Sequence, residues 1–264
     1  MNTFLSKIIA HKREVLKLQK EAISLEHFKQ NLTDRTPISL LSSLQQSVNG
    51  IIAEFKRSSP SQGNINRSAN LLKTIKLYEK SGASALSILT EERFFKGSLS
   101  DIKNIRDKTT LPILRKDFII DEYQVYQAKQ IGADAILLIA SALSLNQCIQ
   151  LSQVAHHLGL EVLLEIHEEN ELEYLKCQPN IVGINNRNLH SFEVSIDTSM
   201  QLIKQIPTDY FTISESGIDN KETIRKLKES GFDGFLIGSA LMQSSKPHSL
   251  LGQFTSPIIQ WKKY

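Results

Sequence analysis

Residues 131–139 read IGADAILLI, and this stretch carries the signal that decides the fold class. A glycine that ends a helical pattern stands directly before a short run of branched, apolar residues. The same order of helix, glycine and strand recurs where residues 81–85 read SGASA and where residues 230–234 read SGFDG. The repetition indicates a weak internal repeat of one helix–strand unit.

Short apolar runs and helical patterns alternate from Ile51 to the end of the chain. Each run is nearly continuously apolar, as parallel strands are when helices cover the sheet. The eight predicted strands are 51–55, 85–89, 112–115, 135–139, 162–165, 181–184, 211–214 and 234–237. The helical patterns lie near 69–81, 98–107, 121–131, 144–158, 168–177, 196–205, 219–230 and 239–251. Eight strand–helix pairs predict an α/β fold, a closed (β/α)8 TIM barrel.

The main alternative fold is a doubly wound sheet, which carries a G-x-G-x-x-G turn after its first strand. The sequence has no such turn there, so we favour the barrel. Residues 1–48 precede the first strand and show amphipathic helical patterns at 3–21, 25–30 and 38–44. We predict a single domain over residues 1–264, with residues 1–48 as an N-terminal helical extension.

The composition excludes several classes of protein. Hydrophobic residues make up 41% and charged residues 22% of the 264, which is typical of a globular chain and not of a disordered one. A net charge of +3 gives no support for a nucleic-acid partner but suits a small anionic substrate. No apolar run reaches the roughly 18 residues of a membrane span. Cys148 and Cys177 show no metal-site spacing, so we expect reduced thiols and a cytoplasmic location.

Charged and amide side chains stand where several predicted strands end, which is where TIM barrels place their active sites. Alternation along a strand puts Glu54 and Lys56 on one face. Buried charges are costly unless they are paired, so we expect ion pairs of Glu54 with Lys56 and of Glu215 with a lysine. The residues predicted to converge on the barrel mouth are Glu54, Lys56, Lys116, Glu165, Asn185, Arg187 and Glu215.

Two glycine-containing turns predict a phosphate site. Residues 237–240 read IGSA and open a helix after the last strand, and residues 215–218 read ESGI after the strand before it. Backbone amides at such turns bind anions. Residues 57–63, RSSPSQG, have the composition of a loop, and we expect this loop to be mobile and to face the substrate.

These stretches closely resemble the indole-3-glycerol phosphate synthase family of tryptophan biosynthesis. The motifs that carry the resemblance are IAEFKRSSPS at 52–61, LTEERFFKGS at 89–98, LRKDF at 114–118, GINNRNL at 183–189, SESGI at 214–218 and LIGSAL at 236–241. The resemblance covers nearly the whole chain, including the N-terminal helix with its basic run His11–Arg13. It implies a lyase that converts 1-(2-carboxyphenylamino)-1-deoxyribulose 5-phosphate to indole-3-glycerol phosphate, with loss of carbon dioxide and water.

The resemblance also implies catalytic roles. Lys116 would be the general acid and Glu165 the general base, while Lys56 would hold the substrate carboxylate and assist as an acid. The division of acid roles between the two lysines stays open. Glu54 would orient Lys56, and the amide and carboxylate of Asn185 and Glu215 would hold the substrate hydroxyls and the catalytic network.

The remaining implied residues bind substrate. We expect no metal and no redox cofactor, a small phosphorylated molecule as the substrate, no nucleic-acid or membrane partner, and a monomer. Phosphate is assigned to Gly217, Gly238 and Ser239. Contact with the rest of the substrate is assigned to Ser59, Phe95, Phe118, Arg187, Leu189 and Ser216.

Two alternatives remain beside this interpretation. A sugar-phosphate barrel similar to phosphoribosylanthranilate isomerase would need a cysteine at the end of the first strand, where residues 54–56 read EFK. A non-enzymatic phosphate-binding barrel would not need Lys56, Lys116 and Glu165 together. One departure from the family is Gln62, where relatives often carry a lysine.

Overall fold

The computed structural model describes residues 4–66, 68–188 and 191–257. Its centre is a closed barrel of eight parallel strands in which β1 pairs with both β2 and β8. The strands are β1 (Ile51–Phe55), β2 (Ala85–Leu89), β3 (Ile113–Lys116), β4 (Ala135–Ile139), β5 (Glu161–Ile166), β6 (Ile181–Asn185), β7 (Phe211–Glu215) and β8 (Gly234–Ile237). The predicted TIM barrel is confirmed, and each strand end lies within two residues of its predicted position.

An N-terminal extension precedes the barrel and contains three helices within residues 4–48, and a helix or helical turn follows each strand. The extension comprises α1 (Phe4–Ala22), α2 (Leu25–Gln30) and α3 (Leu40–Gln45). The barrel helices are α4 (Leu71–Lys80), α5 (Leu99–Ile105), α6 (Glu122–Ile131), α7 (Leu145–His157), α8 (Ile196–Leu202), α9 (Lys221–Glu229), α10 (Ser239–Gln243) and α11 (Pro247–Thr255).

The structure defines two of the predicted helical segments more closely. The segment Glu169–Cys177 is a 3-10 helix, not an α-helix. The predicted helix over 239–251 is two helices, because Pro247 has no backbone N–H and begins a new helix at its first position.

The N-terminal extension covers both ends of the barrel. Leu40 and Leu44 of α3 are fully buried against the interior side chains at the amino ends of the strands, including Ile52 and Ile181. At the opposite end, Lys12 of α1 forms an ion pair of 2.7 Å with Asp117, next to the end of β3. The extension is therefore packed onto the barrel at both ends.

Asp134 ties this extension to the strands at the amino end. Its buried carboxylate accepts hydrogen bonds from the backbone N–H groups of Ile38 and Ile113, each at 2.7 Å. It also pairs with the guanidinium groups of Arg35 at 2.6 Å and Arg106 at 2.5 Å. The fully paired carboxylate of Asp134 thus fixes the amino end of the barrel, opposite the carboxyl ends of the strands where the polar side chains lie.

Among the described residues, no helix has the length and apolarity that crossing a bilayer requires.

Candidate active site

The predicted site residues meet in one cavity at the carboxyl end of the barrel. The cavity has a volume of about 380 Å³. Every predicted site residue that the structure describes lines it, namely Glu54, Lys56, Ser59, Phe95, Lys116, Phe118, Glu165, Asn185, Arg187, Glu215, Ser216, Gly217, Gly238 and Ser239. Leu189 lies outside the described residues.

Lys116 lies between two carboxylates. Its Nζ is 3.1 Å from Oε2 of Glu165 and 2.5 Å from Oε2 of Glu215, so the expected pairing of Glu215 with a lysine is present. Burial by itself would lower the pKa of Lys116, but the surrounding carboxylates outweigh it and raise that pKa. Lys116 therefore holds its proton at neutral pH, the state that a general acid requires.

Glu215 is the carboxylate whose protonation is most finely balanced. Burial, together with the like charges of Glu165 and Glu54, outweighs the attraction of Lys116 and raises the pKa of Glu215 to about 7. Its Oε1 is buried and has no hydrogen-bond partner within the described ranges. A Cβ atom at Gly183 would lie 2.4 Å from this oxygen, so a glycine on β6 is what lets Glu215 occupy its position.

Glu165 is held in the ionised state. Asn185 Nδ2 donates a hydrogen bond of 2.9 Å to Oε1 of Glu165, and Lys116 lies on the Oε2 side. Burial alone would raise the pKa of Glu165, but Lys116, His167 and Asn185 together lower it. The result is a buried carboxylate that is available as a proton acceptor at neutral pH.

Lys56 and Glu54 form the second predicted pair, with Nζ 2.8 Å from Oε1. Glu54 is buried, whereas Lys56 is partly exposed to the cavity. A Cβ atom at Gly238 would lie 2.3 Å from Oε1 of Glu54. Gly238 therefore makes room for Glu54, a structural role that the sequence did not reveal.

The predicted phosphate site occupies one corner of the cavity. Ser216 and Gly217 both have positive φ, at 66° and 72°, so the chain turns sharply after β7. Gly238 and Ser239 stand at the start of α10, where the first backbone N–H groups of a helix have no partner within the helix. Backbone N–H groups at a turn and a helix start of this kind can donate hydrogen bonds to an anion.

Aromatic side chains form the apolar wall of the cavity. The rings of Phe95 and Phe118 are 6.1 Å apart between centroids. The loop that carries Phe95 is fixed by the buried Glu91, whose carboxylate accepts hydrogen bonds from the backbone N–H groups of Phe94 at 2.6 Å and Phe95 at 3.1 Å. This wall is suited to the face of an aromatic substrate.

The first helix contributes to the same wall, and this contribution was missed from the sequence. Phe4, Leu5 and Ile8 of α1 line the cavity. The ring of Phe4 contacts those of Phe94 and Phe192, with centroids 5.3 and 5.4 Å apart. The apolar face of α1 was visible as a pattern, but it did not say which part of the barrel that face would cover.

Two arginines near the mouth brace loops. Arg57 pairs with both oxygens of Asp101, at 2.5 and 3.1 Å, and its guanidinium stacks on the ring of Phe55. The predicted substrate-facing loop therefore brings Ser59 to the cavity but not Arg57. Arg187 lines the cavity while its Nη1 donates a hydrogen bond of 3.1 Å to the backbone oxygen of Phe192.

A mostly buried histidine next to Glu165 was also missed. His167 Nε2 lies 3.3 Å from Oε1 of Glu165, and Nδ1 lies 3.5 Å from Oε2 of Glu171. The available signal was the spacing Glu165-x-His167, which puts both side chains on one face when the strand continues. The predicted strand stopped at residue 165, whereas β5 continues to Ile166.

Known proteins resemble this chain along nearly its whole length. A family model described as "Indole-3-glycerol phosphate synthase" matches residues 5–254. The indole-3-glycerol phosphate synthase of Bacteroides thetaiotaomicron is 49% identical over 259 residues, which is 98% of this chain and 100% of that protein. The protein of the same name from Neisseria meningitidis serogroup B is 40% identical over 261 residues, covering 96% of this chain and 99% of the relative.

Solved structures with low sequence identity share the fold. A mutant tryptophan synthase alpha-subunit from Pyrococcus furiosus has a TM-score of 0.59 at 12% identity and covers 77% of this chain and 96% of its own. Thiamine phosphate pyrophosphorylase from the same organism has a TM-score of 0.60 at 14% identity, covering 80% of this chain and 95% of its own. At these identities the likeness supports the barrel fold alone.

Proposed function

The chain belongs to the indole-3-glycerol phosphate synthase family, and from that premise we propose how its barrel mouth carries out the reaction. The enzyme is a carboxy-lyase of tryptophan biosynthesis. The substrate that we propose is 1-(2-carboxyphenylamino)-1-deoxyribulose 5-phosphate. The ring carbon that bears the carboxylate attacks the sugar ketone, carbon dioxide leaves, and water is then lost to form the indole ring.

Lys116 protonates the ketone oxygen during ring closure. Lys116 lines the cavity, and its ammonium group lies 2.5 Å from Glu215 and 3.1 Å from Glu165; this placement is the observation that carries the proposal. The flanking carboxylates keep Lys116 charged before substrate binds. As negative charge develops on the ketone oxygen, that oxygen becomes the better proton acceptor, and the proton transfers from Nζ.

Glu165 acts as the base in the dehydration step. It is ionised in the free site because Lys116 and Asn185 stabilise its charged form. It therefore accepts the proton that the ring-closed intermediate loses when the hydroxyl leaves as water. Glu215 supports this exchange, because a carboxylate with a pKa of about 7 changes its protonation at little energetic cost.

Binding groups surround this catalytic centre. Lys56, oriented by Glu54 at 2.8 Å, holds the substrate carboxylate until carbon dioxide leaves. The aromatic wall of Phe95 and Phe118 encloses the anthranilate ring and excludes water. The amides at Gly217, Gly238 and Ser239 hold the phosphate, and the cavity also gives Ser59, Arg187 and Ser216 access to the sugar chain.

A turnover assay tests this function. The purified chain is incubated with the proposed substrate, and indole-3-glycerol phosphate is measured by fluorescence while carbon dioxide is trapped. We expect one carbon dioxide per indole formed. A wild-type chain that is folded but inert with this substrate would contradict the proposal.

The acid in the dehydration step is Lys116 or Lys56, and quenched single-turnover experiments distinguish the two. We expect the variant that lacks the dehydration acid to accumulate a ring-closed intermediate that has already lost carbon dioxide. Because Lys116→Met is blocked at ring closure, the informative variant is Lys56→Met. Accumulation of the ring-closed intermediate in Lys56→Met would assign the dehydration acid to Lys56, and its absence would assign it to Lys116.

We also propose that the chain works as a cytoplasmic monomer with one domain. The one-domain assignment is supported by the N-terminal extension, which packs onto the barrel at both ends. Cys148 and Cys177 are buried free thiols, which suits a reducing compartment. Light scattering on the purified protein should give a mass near 29.8 kDa, and a dimer mass would overturn the monomer assignment.

A further inference from the structure

His167 occupies an unusual position beside the proposed base. Its side chain is 13% exposed and stands between two buried carboxylates, with Nε2 3.3 Å from Glu165 and Nδ1 3.5 Å from Glu171. Neither ring nitrogen has a well-aligned hydrogen bond within the described residues. Buried polar groups without aligned partners are rare in folded proteins and call for an explanation. Catalytic hydrogen bonds are often long before substrate binds and shorten afterwards.

Glu171 anchors this histidine in two ways. Its Oε2 accepts a hydrogen bond of 2.5 Å from the backbone N–H of His167 and also faces the Nδ1 atom of the ring. Glu171 is buried in the first turn of the 3-10 helix Glu169–Cys177, so its own position is fixed. The carboxylate of Glu171 thus holds the backbone of His167 in place and also orients its ring.

The charges around the ring make it a cation. The facing carboxylates are Glu165 on β5 and Glu171 on the 3-10 helix, while Lys116 and Glu215 lie on the far side of Glu165. Burial lowers the pKa of His167, but the two facing carboxylates outweigh burial and raise the pKa to about 10. Glu165 is therefore flanked by cations on both sides, by Lys116 at Oε2 and by His167 at Oε1.

The two cations differ in their access to substrate. Lys116 lines the cavity, whereas His167 does not. When Lys116 gives its proton to the ketone oxygen, it becomes a neutral amine and Glu165 loses that positive neighbour. His167 keeps its proton through this step because it does not reach the substrate.

We propose that His167, anchored by Glu171, is a positioning residue that keeps Glu165 ionised and fixes its Oε1 after Lys116 has delivered its proton. This inference rests on the proposed function, since it takes Glu165 as the base of the dehydration step. It extends the catalytic machinery to two residues that do not touch the substrate.

Kinetics of two substitutions test the role. His167→Leu removes the charge and the donor, while His167→Gln keeps a neutral donor. We expect kcat to fall by about 10-fold or more in His167→Leu and by less in His167→Gln, with KM changed by less than about threefold, since positioned acid–base groups contribute roughly 10²–10⁴-fold. The loss of kcat in His167→Leu should be larger at low pH than at high pH, because Glu165 without this neighbouring cation is more readily protonated.

A matched control is His157→Gln, an exposed histidine on α7, which should leave the kcat–pH profile unchanged. A loss of kcat in His167→Leu that is equal at every pH would indicate packing alone and would overturn the proposal. Unchanged kcat and an unchanged profile would overturn it as well.

Nitrogen-15 NMR of the histidine side chains gives a readout that needs no substrate. We expect both ring nitrogens of His167 to be protonated at pH 8 in the wild type, and Glu171→Gln to lower the pKa of His167. A neutral His167 ring at pH 7 in the folded wild type would refute the inference even if turnover is normal. A protonated ring in a chain that does not turn over the substrate would locate the failure in the proposed function.

Discussion

At the scale of single residues, the site is built from buried charges that are only partly compensated. Glu215 has one paired oxygen and one without a hydrogen-bond partner in the described part of the chain. Such groups cost stability and are retained where their chemistry is needed. Because the carboxylate of Glu215 is buried and only partly paired, we expect it to lower stability while it serves the proposed function.

Replacing Glu215 by glutamine should stabilise the protein at alkaline pH. The pKa of Glu215 is raised to about 7 in the folded state from 4.5, so the folded chain binds this proton more tightly than the unfolded chain does. The stability associated with this proton is full below pH 4.5 and is lost as the pH rises through about 7. Glu215→Gln has no carboxylate to ionise, so it avoids this loss of unfolding free energy. For the rise in the pKa of Glu215, the loss is on the order of 3 kcal/mol.

Urea unfolding at pH 5.5 and pH 8.5 measures the effect. The difference in free energy of unfolding between Glu215→Gln and the wild type should be more favourable to the variant at pH 8.5 than at pH 5.5. The same difference for the exposed Glu92→Gln should not change between the two pH values. Loss of relative stability at the higher pH would show that pairing with Lys116 outweighs burial.

The residue scale also shows what the sequence could specify. The pairing of Glu54 with Lys56 followed from alternation along one strand, and the structure confirms it at 2.8 Å. The partners of Lys116 come from β5 and β7. Only the register of the closed barrel brings the side chains of these strands together. The sequence could therefore indicate that Glu215 pairs with a lysine, but not with which lysine.

At the scale of elements, strand geometry depends on glycines that admit charged side chains. A Cβ atom at Gly183 of β6 would lie 2.4 Å from Oε1 of Glu215 and 3.2 Å from Leu163. The strand can therefore carry a side chain at this position only if Glu215 moves.

We expect Gly183→Ala to lower kcat by about 10-fold or more and to destabilise the protein by roughly 1–3 kcal/mol, as overpacking of a core does. The matched control is Gly252→Ala in α11, where an added Cβ meets no atom within 4 Å apart from its chain neighbours and the backbone of its own helix. That substitution should stabilise the protein by about 0.5–1 kcal/mol without changing kcat. Wild-type kcat in Gly183→Ala would show that the position of Glu215 is not critical.

Element types were predictable where the local signal was strong. Glycine stops located helix ends, as at Gly132, which has a φ of 88° and ends α6. The 3-10 helix at Glu169–Cys177 was not distinguishable, because i+3 and i+4 spacing of apolar residues look alike over nine residues. The contacts that dock α1 include the Lys12–Asp117 pair, which joins residues far apart in sequence.

At the scale of the whole molecule, a fully paired buried carboxylate and the proposed catalytic site lie at opposite ends of the barrel. Asp134 anchors the amino end through two arginines and two backbone amides, while the charged cavity lies at the carboxyl end. This arrangement is common in TIM barrels and makes the two ends separable by mutation.

Asp134→Asn should destabilise the protein by about 3–5 kcal/mol, because the buried guanidinium of Arg106 loses its paired charge. At a temperature where the variant remains folded, kcat should stay close to that of the wild type. Chemical denaturation and kcat measured on the same preparation check both parts, with the exposed Asp107→Asn as the control. A large loss of kcat in folded Asp134→Asn would show that the two ends are coupled.

The barrel itself was predictable because its signal is repeated eight times along the chain, so errors at single strand ends do not matter. The packing of the N-terminal extension against both barrel ends was not predictable, because an amphipathic helix pattern does not show which surface the apolar face contacts. The residues at the barrel mouth were therefore predictable from the sequence. The part of the wall formed by Phe4, Leu5 and Ile8 became evident only in the structure.

The central claim is that Lys116, held between Glu165 and Glu215, is the acid that starts the reaction. The most direct measurement is kcat of Lys116→Met with saturating 1-(2-carboxyphenylamino)-1-deoxyribulose 5-phosphate, beside the exposed Lys103→Met as the control. We predict a loss of about 10²–10⁴-fold in Lys116→Met with an unchanged circular dichroism spectrum, and no loss in Lys103→Met. A folded Lys116→Met enzyme with kcat within about twofold of the wild type would contradict the account.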